Sequence, residues 1–166
     1  MANHKIEATL TELLNGELRA HHNYLQAAAW AATRDLDGCT RFLLKHAAEE
    51  MEHMHKLFRY MNDIGATVTF GALPAPQIMA NDVKGLFTLV AEQEMAVTQA
   101  YDRAVDLARA ENDHATLSFL QWFVAEQHEE NTLCRAVLAK INLIGDGPNA
   151  LYLIDREIGK FADKHE

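Results

Sequence analysis

The segment from Phe42 to His53 reads FLLKHAAEEMEH, and its pattern indicates the fold of the chain. It contains no Gly or Pro and is rich in strong helix formers, so it predicts the middle of a helix. Glu50 and His53 are three residues apart in it. Residues at that spacing share one helical face, about 60° apart and about 4.5 Å along the axis. The pair could therefore bind one metal ion, and a solvated acidic face is the alternative.

The same pattern returns 77 residues later, where Phe119 to Glu130 reads FLQWFVAEQHEE. One offset matches two helices in each half of the chain, which chance does not readily produce. Each half then consists of a helix carrying Glu-x6-Tyr and a helix carrying a carboxylate cluster. The matched pairs are Glu17 with Glu94, Tyr24 with Tyr101, Phe42 with Phe119, Leu43 with Leu120, Ala48 with Ala125, Glu49 with Glu126, and Glu52 with Glu129.

Apolar residues recur at helical spacing along most of the chain, and strand signals are absent. The first helix, for example, is marked by Ile6, Leu10, Leu13, Leu14, Leu25 and Trp30. Gly65 is a typical helix end, and Asn81 or Asp82 could cap the third helix. The predicted helices span about 5–33, 38–64, 82–110, 115–144 and 149–162.

The connection between the second and third helices, ATVTFGALPAPQIMAND, is long and has no helical period. About seventeen extended residues reach about 55 Å, and a helix of about 27 residues is about 40 Å long. The connection can therefore run the full length of a bundle. We predict an all-α fold of one domain, residues 1–166: a four-helix bundle over about 5–144 with one long crossover, plus a short fifth helix over about 149–162.

Composition excludes several classes of protein. The net charge of −9 argues against nucleic acid or an anionic membrane as a partner and is compatible with cations. The two cysteines, Cys39 and Cys134, form no metal-binding pair and suit a reducing cytoplasm. We see no signal peptide, and no apolar stretch approaches the roughly 20 residues that span a bilayer.

Carboxylates lie where apolar side chains are expected. Glu17 shares the inward stripe of its helix with Leu13 and Tyr24, and the repeat puts Glu94 on the equivalent stripe. Several buried carboxylates on one bundle axis require cations to neutralise them. Carboxylate di-iron bundles use one Glu from each of two helices and Glu-x-x-His from the other two. The first half fits, whereas the second has Gln127 and Glu130 where Glu50 and His53 stand.

These motifs, LNGELRAHHNYL, AAEEMEHM, EQEMAVTQAY and FLQWFVAEQHEE, resemble the ferritins, specifically the bacterial non-haem ferritins, over the whole chain. The resemblance implies a first iron held by Glu17, Glu50 and His53. It implies a second iron bridged by Glu50 and held by Glu94 and Glu130, with Gln127 beside it. It also implies a third, cavity-side iron site formed by Glu49, Glu126, Glu129 and Glu130. Tyr24 matches the family's tyrosine near the di-iron centre.

The implied function is iron storage and detoxification in the cytoplasm, with ferroxidase oxidation of Fe(II) by O2 or H2O2. The resemblance further implies mineral deposition inside a hollow homo-oligomeric shell of 24 subunits. Three alternatives stay open: a haem-containing bacterioferritin type, an iron-binding shell that oxidises poorly, and a helical assembly protein whose acids only solubilise it. Met51 stands where bacterioferritins place their haem ligand, but we do not expect haem. Rubrerythrins are disfavoured because no rubredoxin-like cysteine pair is present.

Simpler roles are assigned to several other residues. We expect Tyr101 to serve core packing. His21 shares a face with Glu17 and Tyr24, and either supports them or is a core histidine bonded to the backbone or to a neighbouring side chain. The fifth helix carries Leu151, Ile154, Ile158 and Phe161 on one stripe, which we expect to pack against another subunit unless it folds back on its own bundle. Residues assigned to the surface are Glu52, His46, His55, His114 and His165.

Overall fold

The computed structural model describes residues 3–163, which form five α-helices and no strand. The bounds agree with the predicted ones to within about a residue or two, as expected for helix ends. They are α1 (His4–Ala32), α2 (Asp37–Asp63), α3 (Val83–Ala110), α4 (His114–Ile144) and α5 (Ala150–Asp163). The all-α prediction is therefore confirmed. Among the described residues, no helix is long and apolar enough to cross a membrane.

Side-chain caps fix where α3 and α4 begin. Asp82 Oδ1 accepts a hydrogen bond of 2.7 Å from the Gly85 amide, and Asp113 Oδ1 accepts one of 3.0 Å from the Thr116 amide. Such caps satisfy amides that have no partner within the helix. At the end of α2, Gly65 adopts a φ of +70°, the left-handed conformation that glycine reaches without a Cβ penalty.

The crossover follows α1 along its length. The Thr67 amide donates to Glu7 Oε1 at 2.8 Å, near the start of α1. Further along, the Gly71 amide donates to Asn15 Oδ1 at 2.8 Å. The Trp30 indole then donates to the Ala80 carbonyl at 3.3 Å, near the end of α1. The connection therefore spans the bundle, as predicted, and makes α2 and α3 run in the same direction.

α5 packs back on its own subunit. Asp155 accepts hydrogen bonds from the Gly38 and Cys39 amides at 3.0 and 2.8 Å, so a carboxylate on α5 caps the N-terminus of α2. Ile154 and Ile158 are buried in the same apolar cluster as α1 to α4. The expectation that this stripe needs another subunit is therefore wrong for these two residues.

Close packing of α5 depends on glycine. A Cβ on Gly38 would lie 2.0 Å from the Asp155 carbonyl oxygen, closer than any side-chain atom can approach.

Some apolar residues of α5 and α1 remain exposed. On α5, Leu151 is 53% and Tyr152 is 70% exposed. Leu25, predicted on the apolar pattern of α1, is 40% exposed because it lies off the buried stripe.

Candidate metal centre

The polar centre lies between two apolar clusters of the bundle. One cluster contains Tyr24, Phe42 and Val90 and extends to α5. The other contains Leu13, Met54 and Phe123 and extends to the opposite end. The polar side chains between them are almost fully buried: Glu17 (1% exposed), Glu50 (3%), His53 (5%), Glu94 (0%) and Gln127 (3%). Burial without compensation would be very unfavourable for the carboxylates.

In the first half of the centre, Glu17, Glu50 and His53 come together. Their donor atoms all lie within 4.8 Å of one another, close enough to hold one ion. His53 Nδ1 is 3.1 Å from Glu50 Oε2 and 3.7 Å from Glu17 Oε2. Glu17 Oε2 is buried and accepts no hydrogen bond from the described residues. An unpartnered buried carboxylate oxygen of this kind is suited to a cation.

The His53 imidazole faces two groups of carboxylates. Burial alone would lower its pKa, but the nearby carboxylates of Glu17 and Glu50 raise the pKa of His53 to about 11. Its other nitrogen, Nε2, is 3.9 Å from Glu126 Oε2. The ring packs edge-on against Trp122 and Phe123, with centroids 5.4 and 5.9 Å away. His53 therefore links the buried centre to the more exposed acids of α4.

The second half of the centre is arranged differently. Tyr24 Oη donates to Glu94 Oε1 at 2.6 Å, and Gln127 Nε2 donates to Glu94 Oε2 at 3.2 Å. Both oxygens of Glu94 are therefore engaged by neutral donors. Among the described residues, Glu94 does not join Glu50 in a group of three donors within 4.8 Å. Gln127 Nε2 also donates to Thr98 Oγ1 at 3.2 Å. Glu94 and Thr98 together orient the Gln127 amide.

His46 is buried rather than exposed, so its assignment to the surface is wrong. It is 5% exposed and lies between the rings of Tyr24 and Phe42, with centroids 5.5 and 4.3 Å away. Its Nδ1 is 3.2 Å from Glu49 Oε2 and 3.3 Å from Glu130 Oε2. Burial lowers its pKa, and Glu130 and Glu49 reverse that effect, so the pKa of His46 is raised overall.

The burial of His46 has a signal in the sequence, which its assignment to the surface overlooked. Phe42, His46 and Glu50 follow one another at intervals of four, and His53 is three residues further on. That spacing is one helical stripe. The acids at Glu49 and Glu50 made this segment look solvated, but rings from α1 and α2 and a carboxylate from α4 cover the imidazole.

The remaining predicted acids lie at the edge of the centre. Glu49 and Glu130 form a second group of donors within 4.8 Å, together with His46. Glu126 and Glu129 join neither group among the described residues, although they line the same groove of about 460 Å³ as Glu49 and Glu130. Glu130 Oε2 is buried and accepts no hydrogen bond from the described residues. Burial raises the pKa of Glu126, against the opposing charge of His53.

Burial makes ionisation of the carboxylates in the centre unfavourable. It raises the pKa of Glu50 well above its usual range, and the charges of Glu17 and Glu94 add to that rise. Burial likewise raises the pKa of Glu94, opposed by the hydrogen bond from Tyr24 and reinforced by the charge of Glu130. A bound cation would reverse this balance and favour the ionised carboxylates.

Among the residues given simpler roles, Glu52, His55 and His114 are exposed, as predicted, and His165 lies outside the described residues. His21 Nδ1 is 2.6 Å from the Ala47 carbonyl oxygen on α2. With the ring nitrogen as donor, this backbone bond agrees with the simpler alternative, although the ring is half-buried rather than in the core. Tyr101 packs on Phe123 with centroids 4.7 Å apart, which agrees with the core role, but its hydroxyl also donates to Glu17 Oε1.

Comparison with known proteins identifies the relatives of the chain. A family profile for the ferritin-like domain matches residues 7–144. A probable bacterial non-haem ferritin-like protein of Haemophilus influenzae is 35% identical over 164 residues, covering 99% of each chain. The bacterial non-haem ferritin of Campylobacter jejuni is 35% identical over 162 residues, covering 98% of this chain and 97% of its own.

Solved structures agree with these sequence relatives. The open-pore ferritin of the hyperthermophilic archaeon Archaeoglobus fulgidus superposes with a TM-score of 0.92 and 30% identity. The superposition covers 96% of this chain and 98% of that one. A closed form of the same ferritin, engineered by site-directed mutagenesis, gives a TM-score of 0.91.

Proposed function

The chain belongs to the ferritin family of iron-storage proteins, and from this premise we propose that it is a ferroxidase of the bacterial non-haem type. One observation carries the proposal: Glu17, Glu50 and His53 bring their donor atoms within 4.8 Å of one another in a buried site. Three carboxylate or imidazole donors at that spacing suit an iron ion. Iron is the substrate here, so the centre must both bind it and let it leave.

We propose that the first Fe(II) binds Glu17, Glu50 and His53. The second binds Glu94 and Glu130, with Glu50 between the two ions and Gln127 beside the second. Two Fe(II) ions supply two electrons, which reduce O2 together with two protons to H2O2, or reduce H2O2 to water. Hard carboxylate oxygens stabilise Fe(III) relative to Fe(II), so the ligands favour the oxidised product.

The acids at the edge of the centre would then direct the product outward. We propose a third, cavity-side iron site among Glu49, Glu126, Glu129 and Glu130, which line one open groove. From this groove, Fe(III) would reach a mineral of ferric oxyhydroxide. The groove is acidic and partly exposed, so it combines attraction for a cation with an open route of departure.

The proposal extends to assembly and compartment. We propose a hollow homo-oligomeric shell of 24 subunits, supported by the exposed apolar face that α5 leaves at Leu151 and Tyr152. Leu151→Glu together with Tyr152→Glu leaves Asp155, Ile154 and Ile158 in place, so it should keep the bundle helical but weaken the shell, which size-exclusion chromatography measures. We also propose a cytoplasmic location, supported by the free thiols of Cys39 and Cys134.

Ferroxidase activity is tested by stopped-flow absorbance after mixing the protein with excess Fe(II) and O2. Glu50→Ala removes the carboxylate proposed to contact both ions, so the initial oxidation rate should fall about 100-fold, equivalent to about 3 kcal/mol. Glu52→Ala is the matched control, because this exposed glutamate lies two residues further along α2. A near-normal rate in Glu50→Ala would refute the proposed site, and a slow wild-type rate would favour an iron-binding shell without fast oxidation.

A further inference from the structure

The two halves of the chain exchange tyrosine hydrogen bonds. Tyr24 of the first half donates to Glu94 of the second, and Tyr101 of the second half donates to Glu17 of the first. Both tyrosines are 1% exposed. The sequence repeat pairs Tyr24 with Tyr101 and Glu17 with Glu94, but it does not predict this crossing of partners.

The ring of Tyr101 does not need its hydroxyl in order to pack. The ring stacks on Phe123 with an interplanar angle of 10°, inside the apolar cluster at one end of the bundle. A phenylalanine would make the same stacking contact without bringing a hydroxyl into the core. A buried hydroxyl is unfavourable unless it is hydrogen-bonded, and here its bond goes to a proposed iron ligand.

The Tyr101 hydrogen bond selects which oxygen of Glu17 is left for iron. The last torsion of a glutamate side chain is broad and roughly two-fold, so packing alone fixes it weakly. Tyr101 engages Oε1, and this leaves Oε2 buried, without a hydrogen bond from the described residues, and 3.7 Å from His53 Nδ1. The free oxygen therefore lies on the side of the other proposed ligands of the first ion.

We propose that Tyr101 is a positioning residue of the first iron site, holding Glu17 in the orientation that binds the metal. This inference rests on the proposed function and adds a residue to it. Groups that orient metal ligands typically change metal affinity 10- to 100-fold when they are removed. Tyr24 cannot substitute for Tyr101, because its hydroxyl is bonded to Glu94 on the other side of the centre.

The test compares Tyr101→Phe with Tyr24→Phe as a matched control. Each variant keeps the ring and removes one buried hydroxyl. Anaerobic titration with Co(II), followed by its visible spectrum and by calorimetry, reports the affinity and the ligand geometry of each ion. Tyr101→Phe should weaken binding of the first Co(II) about tenfold and alter its spectrum, whereas Tyr24→Phe should leave the first ion unchanged and affect the second.

A second measurement separates positioning from packing. Glu17→Ala alone and Glu17→Ala with Tyr101→Phe should bind the first Co(II) equally weakly, because the hydroxyl acts only through Glu17. A packing role would lower the melting temperature of Tyr101→Phe and leave the Co(II) spectrum unchanged.

Two results would overturn the inference. One is that Tyr101→Phe binds the first Co(II) with unaltered affinity and spectrum. The other is that Tyr101→Phe weakens this binding as much in the Glu17→Ala variant as in the protein that keeps Glu17. Both would leave the proposed function standing. Failure of the wild-type protein to bind Co(II) at this centre would instead refute the proposed function itself, and the role of Tyr101 with it.

Discussion

The two halves of the candidate metal centre occupy equivalent positions in the repeated helices, yet their carboxylates differ in how many hydrogen bonds they accept. Glu17 in the first half keeps one buried oxygen without a hydrogen bond from the described residues, beside His53 and Glu50. Glu94 in the second half has both oxygens engaged, by Tyr24 and Gln127. The first half thus keeps one buried carboxylate oxygen without a hydrogen bond from the described residues, whereas a cation in the second half would have to share oxygens that neutral donors already engage.

If each half binds one ion as proposed, the two ions would be bound unequally. Affinity depends on the number, charge and softness of the ligands, and a neutral amide at Gln127 contributes less than a carboxylate. A firm first site and a looser second one suit iron that passes through as substrate. The comparison predicts ordered filling, with the first half occupied before the second.

The largest expected effect comes from removing the imidazole of the first half. His53→Ala removes a proposed ligand, so the affinity for the first Co(II) should fall about 100-fold or more, since losing a group that only orients a ligand already costs about 10- to 100-fold. His46→Ala removes the other buried imidazole of α2, which contacts Glu49 and Glu130 and not Glu17 or Glu50. It should therefore spare the first ion. Anaerobic calorimetry measures both variants, with the exposed His114→Ala as control, and equal losses in the two buried variants would contradict the distinction between the halves.

The pH dependence of the first site follows from His53. Its pKa is raised to about 11, so the imidazole is protonated at neutral pH until a metal displaces the proton. Binding of the first Co(II) should release at least one proton, and the affinity should rise about tenfold per pH unit between pH 6 and 8. Proton release is measured in weakly buffered solution, and release of less than half a proton per ion would rule out this picture.

The same group also affects the stability of the metal-free protein. Since the folded pKa of His53 lies above the unfolded value of about 6.5, its ion pairs stabilise the fold fully below that pH. Their contribution is lost as the pH rises towards about 11. The raised pKa values of Glu50 and Glu94 also make the protein less stable as the pH rises. Above the usual carboxyl range, these buried acids are unfavourable in their ionised forms.

A smaller effect is expected from making the second half resemble an ordinary carboxylate site. Gln127→Glu adds a charge beside Glu94 and should tighten the second ion about fivefold, equivalent to about 1 kcal/mol, while slowing its release. Gln121→Glu adds the same charge to an exposed position of α4 and serves as the control. Release is followed with a coloured ferrous chelator after reduction. Unchanged or faster release in Gln127→Glu would show that the amide does not limit retention of the second ion.

Much of the fold followed from local sequence patterns. The capping of α3, which the sequence predicts at Asn81 or Asp82, depends on short-range chemistry, and the length of the crossover depends on chain reach. The burial of Glu17 and Glu94 was predicted because each lies on an apolar stripe and the repeat relates the two.

Contacts between distant segments could not be predicted in the same way. His46 is covered by Tyr24 and Glu130, which come from other helices. The docking of α5 depends on Asp155 reaching the amides at the start of α2, more than 110 residues earlier in the chain. The crossed bonds of Tyr24 and Tyr101 likewise require the relative rotation of α1 and α3, which no helical periodicity specifies.

Anomalous diffraction at the iron edge measures whether the first half of the centre fills before the second. Crystals would be soaked anaerobically in increasing Fe(II) and data collected above and below the edge. At one Fe(II) per subunit, we predict iron density at Glu17, Glu50 and His53, with density at Glu94 and Glu130 appearing only at higher concentration. Equal density at both positions throughout, or density first at Glu94 and Glu130, would contradict the account.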